Sequence, residues 1–374
     1  MKFRLSSTAL LSRLQIMSRV VAAKSTVPIL SSLLLQWDEK KLSITASDGE
    51  VLLKTWLPLE EVDESGAICV DMRILLNGIK GLSEQPILFD INPGNDEVYV
   101  HYESGVFHFI GSPGDLYPTE RPLAEDAFHT EIDAPSLLRM VSKTIFATST
   151  DEFRPTMTGI FFEMAEDSYN AAATDGQKLV VLRRLNHTTD IKRSFIMSRK
   201  SAALLKLLLS GLSGSVALAY DTNRMHLSME EYELYAVLVP GKYPNFRAVM
   251  PKECATKVKL DRVSFLSLTR RVSCFSNSDS NLIKLNFDKG KVQVAAQEFG
   301  ESMSGNEEIS CDYQGKPFSI GFKASFLLEV LSNIDTAEVV LEMNSPSQPV
   351  LLLPTVNEEQ EELRQLLMPL SVLE

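Results

Sequence analysis

Ile132-Asp133-Ala134-Pro135-Ser136-Leu137-Leu138-Arg139-Met140-Val141-Ser142-Lys143-Thr144-Ile145-Phe146-Ala147-Thr148-Ser149 is the stretch from which the fold can be read. An Asp ahead of a first turn that contains Pro is a common helix start. The carboxylate accepts from N–H groups that have no intrahelical partner, and proline presets the backbone angle. Leu137, Val141 and Ile145 recur at helical spacing, with Arg139 and Lys143 on the opposite face. The pattern predicts an amphipathic helix over 133–148 with its two cations toward solvent. One such helix says little, but the chain contains it three times.

Leu5-Ser6-Ser7-Thr8-Ala9-Leu10-Leu11 opens the first unit; Ile132-Asp133 lies 127 residues on, and Leu260-Asp261-Arg262-Val263-Ser264-Phe265-Leu266 a further 128. The alternating strand Lys41 to Thr45 ends at Ala46-Ser47-Asp48-Gly49, and Ala173-Thr174-Asp175-Gly176 repeats that turn 127 residues later. In the third unit the strand Lys291 to Ala296 runs into Gln297-Glu298, so the Asp-Gly turn is lost. A second helix is predicted in each unit, over 72–82, 198–212 and 322–334. Tyr117-Pro118 and Tyr243-Pro244 mark the ends of the first two units. A period this long is that of a domain, not of a solenoid repeat. The expected fold is α+β, with three repeated domains (1–125, 126–253 and 254–374), each having two helices packed on antiparallel sheet.

Composition narrows the class. A chain of 374 residues suits two or three domains. No apolar run reaches membrane-spanning length, and Met-Lys-Phe-Arg-Leu leads directly into patterned sequence without a signal-peptide core. Cys69, Cys254, Cys274 and Cys311 lack metal-ligand spacing and read as reduced, mostly buried thiols of a cytosolic protein. The run Asn357 to Glu362 reads as a solvated acidic loop. The net charge of -12 argues at first against nucleic acid. Its distribution reverses that reading. Taken as 5–20, 71–83, 133–148, 198–213, 261–276 and 322–334, the six helical spans with their capping residues hold 13 basic residues and four acids, a net +9, which leaves -21 for the rest of the chain. Helices at equivalent positions of a repeat would share one basic face, suited to phosphates without reading sequence.

Beyond the repeat, Pro28-Ile29-Leu30, Ala173-Thr174-Asp175-Gly176-Gln177-Lys178-Leu179, Tyr243-Pro244-Asn245-Phe246-Arg247, Ile320-Gly321-Phe322 and Met368-Pro369-Leu370 stand in order along the chain. With these motifs the whole chain resembles the bacterial DNA polymerase III beta subunit family of sliding clamps. The resemblance implies a head-to-tail homodimer whose six domains close into a ring, helices lining the hole, that encircles duplex DNA and slides. It implies partners: double-stranded DNA, a second copy of the chain, and the clamp loader, replicative polymerase and repair polymerases through short linear peptides. No catalysis, cofactor, metal or membrane is implied.

By the same resemblance, the partner peptide enters a groove between domains two and three. The matching positions are Met157, Thr174, Gly176, Gln177, Lys178 and Leu179, then Pro244 and Val249, then Phe326, Pro346, Leu366, Met368, Pro369 and Leu370. Met, Leu, Val and Pro give an adaptable apolar pocket, and a few polar groups fix the peptide's direction. Lys24, Arg73, Arg154 and Arg199 match DNA-facing positions, and Arg139, Lys143, Lys200, Arg270 and Arg271 join them on the basic helices. Phe107 and Phe109, in Val106 to Ile110, resemble one dimer edge and Cys274-Phe275 the other.

The chain departs from the family in places. Gln177, Lys178 and Ala248 stand where the family often has His, Arg and Arg, so a less positive rim is expected. Pro155 and Thr156 replace an aromatic DNA-contacting pair, and Ser371 to Glu374 run past the usual C-terminal pattern. Nothing in the sequence supports an enzyme. Asp48 and Asp175 lie in separate domains and read as turns. The five His show no metal-binding spacing, and there is no nucleophile elbow or phosphate loop. The alternative to a DNA ring is a protein-binding scaffold whose basic helices meet an acidic partner.

Overall fold

The computed structural model describes residues 1–21, 26–185, 192–298, 300 and 302–371. Lys24, His187 and Val372 to Glu374 lie outside the described residues.

Six α-helices are present among the described residues: α1 (Ser7–Met17), α2 (Met72–Ile79), α3 (Ala134–Thr144), α4 (Arg199–Leu208), α5 (Arg262–Ser273) and α6 (Ala324–Ser332). Each follows directly on a strand, and α2, α3, α4 and α6 stop two to four residues sooner than the sequence pattern predicts. Lys2–Ser6, Phe128–Asp133 and Thr256–Asp261 run directly into α1, α3 and α5; Gly66–Asp71, Arg193–Ser198 and Phe318–Lys323 run into α2, α4 and α6. The junction residue caps the helix. Ser6 Oγ accepts from Ala9 N–H, and Asp71, Asp133, Ser198 and Asp261 accept from an N–H three residues on. Lys323 cannot cap α6, so Asn281 Oδ1 accepts from Ser325 N–H at 2.8 Å instead.

The chain gathers into two compact units, Met1–Leu137 with Leu204–Leu238, and Leu138–Ala203 with Val239–Glu374. The middle repeat is therefore divided between them. In the first unit a nine-stranded sheet passes from the first repeat to the second where Val51–Pro58 pairs antiparallel with Tyr232–Val237, Thr55 opposite Tyr232. In the second unit an eight-stranded sheet passes from the second repeat to the third where Lys178–Arg184 pairs antiparallel with Glu361–Leu367. A five-stranded and a four-stranded sheet complete the two units, ending in the edge strands Gly105–Ile110 and Met303–Ser310 respectively.

The core of the second unit shows how the layers hold together. Phe265, Leu268 and Val272 of α5 and Leu327, Val330 and Leu331 of α6 pack on Val258, Leu285, Val294 and Leu341 of the sheets. All are buried at helical and strand periods. Truncating a side chain such as Phe265, fully buried here, typically costs about 3–5 kcal/mol.

The repeated turns have a shared mechanism. Gly49 and Gly176 take φ of 95° and 93°, which a side chain would strain. Asp48 and Asp175 each accept two backbone N–H groups just beyond the turn. One residue before each Asp, Ser47 and Thr174 donate their N–H to the buried hydroxyls of Tyr117 (2.7 Å) and Tyr243 (3.1 Å). The two Tyr-Pro landmarks are thus equivalent locks on equivalent turns.

Two expectations are corrected. The acidic run 357–362 is not simply a solvated loop: Glu361 begins a strand and is only 4% exposed, paired with Arg139 and Arg184. Of the four free thiols only Cys69 is fully buried, and Cys274 is exposed, because it sits on the solvent side of the α5 terminus.

Candidate functional site: an apolar pocket on the second sheet seam

Register at the second seam sets Leu179 opposite Leu366 and Lys178 opposite Leu367. Strand alternation then puts Leu179, Leu366, Ala172 and Leu351 on one face, where they form a cluster with Tyr243 and Phe246, flanked by Met250 and Met368. Tyr243 stacks on Phe161 at 5.0 Å while its hydroxyl accepts from Thr174, so an aromatic plate is held over the strand ends. Burial pushes that phenol well above its ordinary pKa, so it stays neutral.

Backbone hydrogen bonds fix the chain beyond the last strand. Met368 N–H donates to Gln177 O and Leu370 N–H to Gly321 O, both at 2.8 Å, which holds Met368-Pro369-Leu370 against both repeats. Gly176 leaves room at the rim: a Cβ there would lie 3.0 Å from Arg154 Nη1 and 3.7 Å from Met157 Cε. Thr174 Oγ1 donates to Lys178 O at 2.7 Å and closes the turn.

Lys178 is buried, 5% exposed. Its Nζ lies 2.8 Å from Asp175 and 3.0 Å from Glu329, and 4.1 Å above the Phe326 ring, which Lys323 also approaches at 4.8 Å. A cation paired twice and covered by a ring adds little positive field at the rim. Beside it opens a polar recess of about 760 Å³ lined by Arg154, Gln177, Arg199, Phe326 and others. Pro244, Val249 and Pro346 are exposed and stand outside the buried cluster.

The predicted DNA-facing cations divide in two. Arg73, Arg154, Arg199, Lys200, Arg270 and Arg271 are exposed. Arg154 is bonded to Asp151 and Arg271 to Glu307. Arg139 and Lys143 do not fit the expectation of a solvent-facing pair. Arg139 meets Glu361, Asp335 and Glu358, and Lys143 meets Asp335 at 2.6 Å and Asn333 O at 2.8 Å. Their charges are spent holding α3 to the end of α6 and the last strand. Arg13 of α1 is likewise taken by Glu231 and Tyr232.

At the proposed dimer edges Phe109 is buried and Phe107 half-buried, Phe107 lying over Gly78. Cys274 is exposed, and the exposed Phe275 ring covers Gly305, where a Cβ would lie 2.5 Å from Phe275 Cδ2. One residue escaped the sequence reading altogether. Phe153, next to Arg154, is 98% exposed. Its only sequence signal was a lone aromatic in a polar loop, two positions before Pro155. Among the described residues no group of three or more His, Cys, Asp or Glu is placed to hold a metal ion.

One α+β domain in tandem, joined by sheets continuous across the repeats and presenting an apolar pocket at the seam, defines a protein of the multidomain DNA-clamp class. Sequence models of the N-terminal, central and C-terminal domains of the DNA polymerase III beta subunit match residues 1–119, 131–245 and 247–371. The beta sliding clamp of Pseudomonas putida is 29% identical over 96% of this chain and 97% of its own, and that of Synechococcus elongatus 28% over 95% and 96%. A Pseudomonas aeruginosa sliding clamp bound to griselimycin superposes with a TM-score of 0.94 at 26% identity, covering 100% of both chains. A Caulobacter crescentus beta sliding clamp with polyethylene glycol at its putative beta-motif tethering region gives 0.91 at 25%, again over 100% of both. The chain belongs to the DNA polymerase III beta subunit family: it is a sliding clamp, a non-catalytic processivity subunit.

Proposed function

We propose that two copies of this chain close head to tail around duplex DNA and hold polymerases through the pocket at Leu179, Leu366 and Met368. The observation that carries the reading is the equivalence of the seams. In each, the second strand of a repeat's central hairpin pairs antiparallel with the last strand of the following repeat: Val51–Pro58 with Tyr232–Val237, and Lys178–Arg184 with Glu361–Leu367. The third strand of the first kind is Met303–Ser310, and the remaining strand of the second kind is Gly105–Ile110. Each ends its sheet, paired on one side alone. A second copy supplies each with its missing neighbour, and a closed ring is the arrangement that leaves neither edge open. Phe107 and Phe109 lie on one of those strands, and Phe275, next to Cys274, lies against Gly305 of the other.

Within the ring, Arg73, Arg199, Lys200, Arg270 and Arg271 meet phosphates loosely, and Arg154 and Phe153 reach the duplex from their loop. Lys24 belongs to the same set by resemblance. Thr174, Gly176, Gln177, Lys178 and Met157, then Pro244, Val249, Phe326, Pro346, Pro369 and Leu370, border the peptide. The partners are the clamp loader and the replicative and repair polymerases, the domains are 1–125, 126–253 and 254–374, and the compartment is the cytoplasm. Among the described residues, no helix is long and apolar enough to cross a membrane.

Topology tests the ring. After loading on nicked circular DNA the protein is expected to stay bound through gel filtration and to be lost when the circle is cut linear. Retention that ignores linearisation would instead favour a scaffold that touches DNA without enclosing it.

A further inference from the structure

The outward face of the eight-stranded sheet changes character along its strands. Around the pocket it shows Leu179 and Leu366; one step on, the facing row is Phe161, Ala172, Val181 and Arg364; the next is Glu163, Asn170, Arg183 and Glu362. That last row floors a groove of about 510 Å³, walled by the segment from Phe246 to Lys252. Val181, Phe246 and Met250 border the groove and also belong to the pocket's apolar cluster, so the two are continuous.

The groove is basic in a protein of net charge -12. Its acids are already matched. Buried Glu163 is held by Arg247, by Lys192 at 3.5 Å and by the Asn170 amide at 3.2 Å. Asp167 pairs with Arg183 at 2.6 Å, and Glu362 lies 3.7 Å from the same guanidinium. With these pairs formed, exposed Lys252 and Arg364 remain as excess positive charge. Such a surface attracts anions, and its link to the pocket selects an anion attached to whatever the pocket holds.

We infer that this groove is a second docking site for the partner polypeptide, and that it takes an acidic stretch lying immediately beside the apolar motif. The inference rests on the pocket reading above. The apolar residues supply the anchor; the acidic flank adds affinity and fixes which way the chain runs. It also ranks partners that share similar apolar motifs.

The test uses the full-length protein and fluorescein-labelled peptides sharing the core Ser-Leu-Ser-Leu-Phe. Four Glu or four Ser are added at the amino or the carboxyl end, and binding is read by fluorescence polarisation. At low salt one Glu-extended peptide is expected to bind about three- to tenfold more tightly than its Ser counterpart, the scale of two solvent-exposed ion pairs. The gain should vanish near 0.5 M salt. It should also vanish in the double variant Lys252→Glu, Arg364→Glu, while the Ser-extended peptide binds that variant as it binds the parent protein. Equal binding of Glu and Ser peptides at both ends, with the core still bound, overturns the groove and leaves the pocket standing. A gain that survives the double variant places the acidic flank elsewhere and also overturns it. If no peptide binds at micromolar concentration, the pocket reading falls and takes the groove with it.

Discussion

At the scale of single residues, Arg139 shows how far a local pattern can mislead. Its place opposite Leu137 and Val141 on an amphipathic helix says solvent, yet its guanidinium is bonded to Glu361, which is almost fully buried. Helical periodicity reports which face is apolar; it cannot report that another repeat brings carboxylates to the polar face. Arg139→Ala is expected to destabilise the protein by about 3 kcal/mol in urea unfolding, since it strands a buried carboxylate that Arg184 only partly matches. Arg139→Lys should recover little, because one ammonium cannot reproduce the two-pronged contact. Tyr243 is the opposite case, legible because Tyr-Pro recurs at equivalent positions. Tyr243→Phe removes the acceptor of the buried Thr174 N–H, an expected loss of about 1–2 kcal/mol. Peptide affinity should fall with it, since the lost hydroxyl contact is what ties the ring to the strand end beside the pocket. A variant with unchanged unfolding midpoint and peptide binding would remove the lock from the account.

Among elements, α3, α6 and the last strand form an ionic joint whose pH dependence has a definite sign. Burial opposes ionisation of Asp335, but hydrogen bonds and charge from Lys143 and Arg139 outweigh it and hold the carboxyl below its ordinary range. A depressed folded pKa means that the stabilisation is fully present above the ordinary carboxylate value, about 4, and is lost as pH falls through the folded value. The urea midpoint should therefore drop as the pH falls below about 4, and drop less steeply in Asp335→Asn. Equal slopes in the two proteins would show that other carboxylates govern acid unfolding. The helices themselves were legible, since capping Asp, Ser and apolar spacing survive in sequence. Their exact bounds were less so: α6 starts two residues after the pattern, and α2, α3 and α4 stop three or four residues before its end. A strand that runs into a helix keeps its apolar alternation up to the cap, and that alternation overlaps the helical pattern over Leu5-Ser6 and Phe322-Lys323.

For the whole molecule, the repeat makes the assembly calculable. In the first seam Tyr232 faces Thr55 and Leu234 faces Leu53. The hairpins of repeats one and three align through their own registers, Ser47 with Leu52 and Gln297 with Ser304, which makes Thr55 equivalent to Glu307. Tyr232 is equivalent to Gly105 by the 127-residue period. Transferring the seam puts Gly105 opposite Glu307 in the second copy, Phe107 opposite Gly305 and His108 opposite Ser304. Gly305 then makes sense as the residue that lets Phe275 lie flat on the strand. Directly facing residues of an antiparallel pair have Cα atoms about 4.5–5.5 Å apart, within disulfide reach, whereas diagonal neighbours are about 7–8 Å apart. In a Cys274→Ser background, His108→Cys with Ser304→Cys should oxidise to a covalent dimer on a non-reducing gel. His108→Cys with Asn306→Cys should stay largely monomeric on the same gel. If the second pair links and the first does not, the strands meet two residues out of the transferred register. If neither links at concentrations where sedimentation shows twice the 41.7 kDa chain, the copies meet through other edges and the equivalence of the seams does not extend to the third.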